Sequence, residues 1–171
     1  MILTPTQKKK WGAALSVYCK TAEDYRLNRG YSQRRRVLGY GLSAKADQLD
    51  DCSGFVAKAV YMANAVSRLH VRDPLGAHFS GWGNTETIQS TVTHEARGKL
   101  QVGDIALWSA AGNDWNTSHT AICRKAGTSQ TAIFTSHGHQ SWRFSSDAPE
   151  AIVLPNFPEH LIGVYRLPEL L

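Results

Sequence analysis

Asp51-Cys52-Ser53-Gly54-Phe55-Val56 is the stretch on which the fold of this chain turns. Downstream of it Phe55, Ala59, Met62 or Ala63, and Val66 recur at helical spacing, with Lys58 and Asn64 assigned to the solvent side. A helix therefore begins at this point, with Cys52 at its start and Asp51 or Ser53 as the cap. Gly54 lets another backbone or a substrate approach closely. A thiol is a useful nucleophile only as thiolate, and the unpaired amides and positive dipole end of a helix stabilise that anion. The same amides can hold an oxyanion. A buried cysteine can also be a plain core residue, so the chemistry needs a partner group.

Upstream, Thr4-Pro5-Thr6-Gln7 combines a Thr cap, a proline at the first helical position and a Gln three residues after the cap. This predicts a helix from Pro5 to about Arg26, with Trp11, Ala14, Leu15, Tyr18 and Ala22 on its apolar face and Asn28-Arg29-Gly30 as the stop. Lysines followed by Trp11 to Cys19 imitate a secretory leader, but the apolar run is short and lacks a clear cleavage site. Residues 30 to 51 read as a loop, and residues 70 to 100 as a connection carrying short structure. Strand character marks Val102 to Ser109, His119 to Lys125, Gln130 to His137 and Leu161 to Leu167. No repeat or second-domain linker is visible, so residues 1–171 read as one α+β domain.

A chain of 171 residues, 42% hydrophobic and 19% charged, can build a core without disulfides or metal. Lys and Arg outnumber Asp and Glu by 19 to 14, a balance that draws polyanions, nucleic acid and anionic cell wall alike. The basic runs Lys8-Lys9-Lys10 and Arg34-Arg35-Arg36 are short and carry no nucleic-acid-binding motif, so they read as solvated faces. Cys19, Cys52 and Cys123 lie far apart without C-x-x-C spacing, which indicates neither a disulfide framework nor a zinc ribbon.

The base for a Cys52 thiol must come from elsewhere in the fold, and His119 is the candidate. It opens the run His119-Thr120-Ala121-Ile122-Cys123, whose alternation puts His119 on one face with Ala121 and Cys123. His70, His78, His94 and His160 fall in polar or irregular segments and read as surface or hydrogen-bonding residues. A third group should hold the imidazole in its working tautomer. A hairpin turning near Gly127 to Ser129 brings the next strand across, and its facing admits Thr135 or His137 while excluding Ser136. Of these, only His137 is titratable; His139 lies further along the same face.

The combination of Asp51-Cys52-Ser53-Gly54-Phe55-Val56, Val102-Gly103-Asp104-Ile105 and Ser118-His119-Thr120-Ala121-Ile122 resembles the NlpC/P60 family of cell-wall cysteine peptidases over roughly residues 38 to 140. Gly83-Asn84-Thr85-Glu86-Thr87, with Ser118-His119-Thr120-Ala121, is similar to the amino-terminal peptidase modules of lysins from phages of actinobacteria. The resemblance implies a papain-like fold, a central antiparallel sheet packed against an N-terminal helix and the nucleophile-bearing helix. It implies hydrolysis of γ-D-glutamyl-diaminopimelate or similar stem-peptide bonds, with Cys52 and His119 matching the family's pair. Tyr40 corresponds to an aromatic that lines the oxyanion and substrate side, and Asp51 and Ser53 to positions facing the substrate amine. Where many members carry a histidine after an apolar pair, Ile133-Phe134 here precedes Thr135, with His137 two residues later. His137 is therefore assigned the orienting role. Trp82, Trp108, Trp115 and Trp142 are candidates for stacking on glycan.

The resemblance further implies no cofactor and no metal, peptidoglycan as the partner with neither nucleic acid nor membrane, and a monomer. A lysin made in the host cytoplasm and then released to the wall fits the same reading. Two rivals stand beside it: a zinc amidase with Cys52, His119 and His137 as ligands, and a non-catalytic wall-binding module.

Overall fold

The structure, a computed structural model, describes residues 1–27, 51–80, 82–114, 117–138 and 148–171. Helix α1 spans Pro5–Tyr25, and its start is the capping box read from the sequence: Thr4 accepts from the Gln7 amide at 3.3 Å while the Thr4 amide donates to Gln7 Oε1 at 2.9 Å. Arg26, left-handed at φ 48°, ends it. Trp11, Leu15, Cys19 and Ala22 form its buried face.

Helix α2, Cys52–Ser67, is capped by Asp51, whose Oδ1 accepts from the Gly54 amide at 2.7 Å. Every residue from Cys52 to Val60 is buried, so α2 is enclosed almost all round its first half. That overturns two expectations. Lys58 is 4% exposed rather than solvated, and Asn64 is a clasp: its Oδ1 accepts from the Trp11 indole at 2.8 Å and from the Val71 amide at 3.0 Å, while its Nδ2 donates to the Val71 carbonyl at 2.7 Å. At the far end Val66, assigned to the apolar stripe, is exposed. The stripe is narrower than its spacing suggests because α1 covers one flank of α2 and the sheet another.

The connection between α2 and the main strands contains helix α3, Thr85–Thr91, opened by Asn84 in a second capping box, and strand β1, His94–Glu95. The remaining strands are β2 Ile105–Ser109, β3 His119–Lys125, β4 Ile133–His137, β5 Pro149–Ile152 and β6 His160–Arg166. They pair antiparallel in the order β1-β6-β2-β3-β4-β5. Ile105, Leu107 and Ile122 lie in the core with α1 and α2. Ala106, Trp108, Ala121, Cys123 and Phe134 build a second core on the opposite face with Leu154 and Phe157. The segment Val102-Gly103-Asp104 is a turn into β2 rather than strand. Buried Asp104 meets Arg166 there through both carboxylate oxygens, at 2.7 and 2.8 Å.

One irregularity governs the site. Cys123 pairs with Phe134, but Lys125 pairs with Ile133, so β3 carries one extra residue, Arg124. Helix α1 holds this bulge: Arg124 Nε donates to Glu23 Oε1 at 2.7 Å, and Ser16 donates to the Arg124 carbonyl at 2.6 Å. Thr135 on β4 donates to the same Glu23 oxygen at 2.6 Å. No helix among the described residues is long and apolar enough to cross a membrane.

Candidate active site

Cys52 is the first residue of α2, 2% exposed, between Asp51 and Ser53, each 1% exposed. Ser53 donates to Asp51 Oδ1 at 3.0 Å, so that oxygen receives both a hydroxyl and the Gly54 amide. Two of the three residues expected around the thiol are thus bound to each other and shape the helix start.

The thiols differ in their surroundings. Burial pushes Cys19 up to about 12, opposed in part by its hydrogen bond with Thr135. Burial, reinforced by Asp104, likewise pushes Cys123 up to about 12. Both are far above the ordinary thiol value of 9.0 and are held as neutral core residues. Cys19, Cys52 and Cys123 form no disulfide with one another.

His119 is the first residue of β3, fully buried. Phe157 stacks on its ring with centroids 4.8 Å apart and planes 11° apart, and Trp108, its partner on β2, lies tilted at 5.9 Å. The run into His119 is secured by α3: Thr85 donates to the Thr117 carbonyl at 2.9 Å, Gln89 donates to the Asp114 carbonyl at 2.8 Å, and Thr117 bonds to the Gln89 side chain. Ser118 donates to Glu159 at 2.6 Å.

Nε2 of His119 lies 2.8 Å from Ser136 Oγ, which is 2.7 Å from the Thr120 carbonyl. Ser136 is the residue that sequence alternation excludes from the His119 face, and the correction has a definite cause. Ile122 pairs with Thr135, so Ser136 falls opposite Ala121 and shares its face with His119, while Thr135 and His137 take the other. A ladder without the Arg124 bulge would have the parity expected from the sequence; the bulge shifts it by one residue. His137 is fully buried, on the face turned to α2, with its ring 6.4 Å from that of Phe55. It does not share the His119 face, and the side chain at hydrogen-bond distance from His119 Nε2 is Ser136.

Strand β4 runs antiparallel to β3, so its last residue and the first residue of β3 lie at one end of the sheet. Phe55, in the first turn of α2, packs against that last residue, which brings the helix start to the same end. The start of α2 and His137 therefore lie at the end of the sheet where β3 begins with His119, the two imidazoles on opposite faces. Among the described residues no three His, Cys, Asp or Glu side chains are grouped to hold a metal ion, so Cys52, His119 and His137 do not form the ligand set of a zinc amidase.

Tyr40 and His139 lie outside the described residues, as do Trp115 and Trp142. Trp108 is a fully buried core residue, and Trp82 is 80% exposed. His70, His78, His94 and His160 are exposed, and His160 bonds to Asp114 at 2.8 Å. Phe157 was not singled out from the sequence; it follows a single 3₁₀ turn, Leu154–Asn156, and no periodicity marks it.

No family model matches the sequence, and no curated protein matches it. Solved structures do. The fold is similar to NlpC2 from Trichomonas vaginalis, TM-score 0.55 at 12% identity over 92% of this chain and 47% of that one. It is similar also to NlpC1 from Trichomonas vaginalis, TM-score 0.53 at 14% identity over 91% of this chain and 44% of that one. A lipoprotein-like NLP/P60 family protein from Staphylococcus aureus gives 0.50 at 12% identity over 98% of this chain and 43% of that one. The chain thus has the papain-like α+β fold of NlpC/P60 proteins and spans less than half the length of each of these neighbours.

Proposed function

We propose that the chain is a cysteine peptidase acting on the stem peptides of bacterial peptidoglycan, with Cys52 as nucleophile and His119 as its base. The observation that carries this reading is Cys52 at the capped, buried start of α2, set at the end of the sheet where β3 begins with His119. The thiolate attacks the carbonyl carbon of a stem-peptide bond, and amides of the first turn of α2 receive the negative charge that develops on oxygen. The imidazolium then protonates the leaving amine. A water molecule, deprotonated by the same imidazole, hydrolyses the thioester and frees the thiol. Support for the substrate class comes from the motif resemblance and the likeness of fold, and a net charge of +5 suits an anionic wall. Asp51 and Ser53 act by fixing the helix start, and Tyr40 is proposed to line the substrate side. The γ-D-glutamyl-diaminopimelate bond and the setting of a phage lysin belong to the same proposal.

A second reading has one observation in its favour: the His137 ring faces α2 and packs against Phe55, one turn beyond Cys52. In that reading His137 is the base. Incubation of purified peptidoglycan with wild type, Cys52→Ala, His119→Gln and His137→Gln, followed by mass spectrometry of the fragments, separates the two. The proposal expects stem-peptide products from wild type, none from Cys52→Ala or His119→Gln, and retained products from His137→Gln. Products from Cys52→Ala would end the thiol mechanism, and loss only with His137→Gln would transfer the base to β4.

A further inference from the structure

Two oxygens that can each accept, Ser136 Oγ and the Thr120 carbonyl, lie 2.7 Å apart, and a carbonyl has no proton to give. The proton between them is therefore that of the Ser136 hydroxyl. Having only one, Ser136 meets His119 Nε2, 2.8 Å away, as an acceptor. Nε2 must then carry hydrogen, and in the neutral ring Nδ1 is the basic nitrogen. Ring tilt is fixed independently by Phe157, stacked at 4.8 Å and 11°. All the groups involved are buried: Ser136, His119 and Thr120 are each fully enclosed. In such a site a hydrogen bond is strengthened and the wrong tautomer is correspondingly costly.

We infer that Ser136 is the positioning residue of the site: anchored to the Thr120 carbonyl, its hydroxyl locks His119 in the Nε2–H tautomer and thereby presents Nδ1 as the base. This rests on the reading of His119 as the base for Cys52. It gives to an uncharged hydroxyl, backed by a main-chain carbonyl, the role the sequence assigned to His137. When Nδ1 takes the proton from the thiol, the imidazolium keeps its Nε2–H donation to Ser136, so the hydrogen bond survives the proton transfer and strengthens with the charge.

The test combines a spectrum with kinetics. Protein labelled with ¹⁵N-histidine in the Cys52→Ala background, which removes any thiolate–imidazolium pair, is compared with the same protein carrying Ser136→Ala. His119 signals are assigned by their loss in His119→Gln. Hydrolysis of a peptidoglycan stem peptide is measured in parallel for wild type, Ser136→Ala and Ser136→Thr, all with Cys52 intact. The expected result is an Nε2–H pattern for His119 that Ser136→Ala abolishes. With it comes a fall in kcat of roughly 10- to 100-fold, KM holding within about twofold, and recovery of most of the rate in Ser136→Thr. An Nε2–H pattern that persists in Ser136→Ala overturns the inference, as does an unchanged kcat. Hydrolysis by Cys52→Ala itself sinks the thiol mechanism instead, and with it the catalytic role of Ser136, whichever tautomer the spectrum shows.

Discussion

Alkylation by iodoacetamide in native buffer should mark one cysteine of the three, and the structure sets the margin. Cys19 and Cys123 are buried and pushed up to about 12. Near pH 7.5 a thiol with that value is ionised in about three molecules per 100,000, against about 3% for an ordinary thiol, a deficit of roughly 1,000-fold in the reactive form. Enclosure within the two cores slows them further. Cys52 differs by its seat at the start of α2, where amides and dipole favour the thiolate. Peptide mapping after limited alkylation is therefore expected to find the modification on Cys52 alone, at one equivalent per chain, with loss of peptidoglycan hydrolysis in step. The same treatment in strong denaturant should label all three. Native labelling of Cys19 or Cys123 at a rate within tenfold of Cys52 would refute the reasoning, because it would mean that a seat at a helix start does not set Cys52 apart from two equally buried thiols.

Stability offers further checks. Removing Arg166 as Arg166→Met leaves the fully buried Asp104 carboxylate without its counter-charge and should cost about 3–5 kcal/mol in urea unfolding, part of which Asp104→Asn in the same chain restores; an unchanged midpoint would show that the pair contributes nothing. Gly103→Ala should lose about 3 kcal/mol, since φ is +95° and a new Cβ would lie 2.7 Å from both Leu170 Cδ1 and Trp11 Cζ3; thermal melting within a degree of wild type would contradict this. Alkali should weaken the fold in a defined window. In the unfolded chain Cys19 and Cys123 ionise near 9.0, whereas the folded state keeps both protonated to about 12. Protons are thus bound more tightly by the native state, and stability, full below pH 9, falls as pH rises toward 12, by on the order of 1 kcal/mol per thiol at pH 10. Cys19→Ala should remove about half of that fall in denaturant titrations at pH 8 and pH 10, and an unaltered pH dependence would refute the assignment.

Most of the architecture was legible because its signals are local. The capping box at Thr4, the cap at Asp51 and the alternation of β3 each depend on residues a few positions apart, and each is present in the structure. What escaped was non-local. Asn64 and Lys58 look solvent-facing on a helical projection of α2, but α1 and the sheet enclose that helix from directions its own sequence cannot register. Helix α3 and strands β1 and β5 have seven, two and four residues, too few to establish a period.

The error over Ser136 follows from the same division between local and distant forces, and it reaches furthest into function. Strand parity is a global property: one inserted residue anywhere along a pair reverses the facing of everything beyond it. Here the inserted residue is Arg124, and nothing in Cys123-Arg124-Lys125 marks a bulge. Its stabilisation comes from more than 100 positions away, through Ser16 on the Arg124 carbonyl and Glu23 on the Arg124 side chain, with Thr135 closing the junction. Helix α1, which contributes no group to the proposed chemistry, thereby selects which residue of β4 meets His119. The selection is a serine whose hydroxyl is tied to the Thr120 carbonyl, where an unbulged ladder would offer Thr135 or His137. A substitution at Glu23 that let the bulge relax would consequently act at the far end of the hairpin, by exchanging the face that β4 presents to the imidazole.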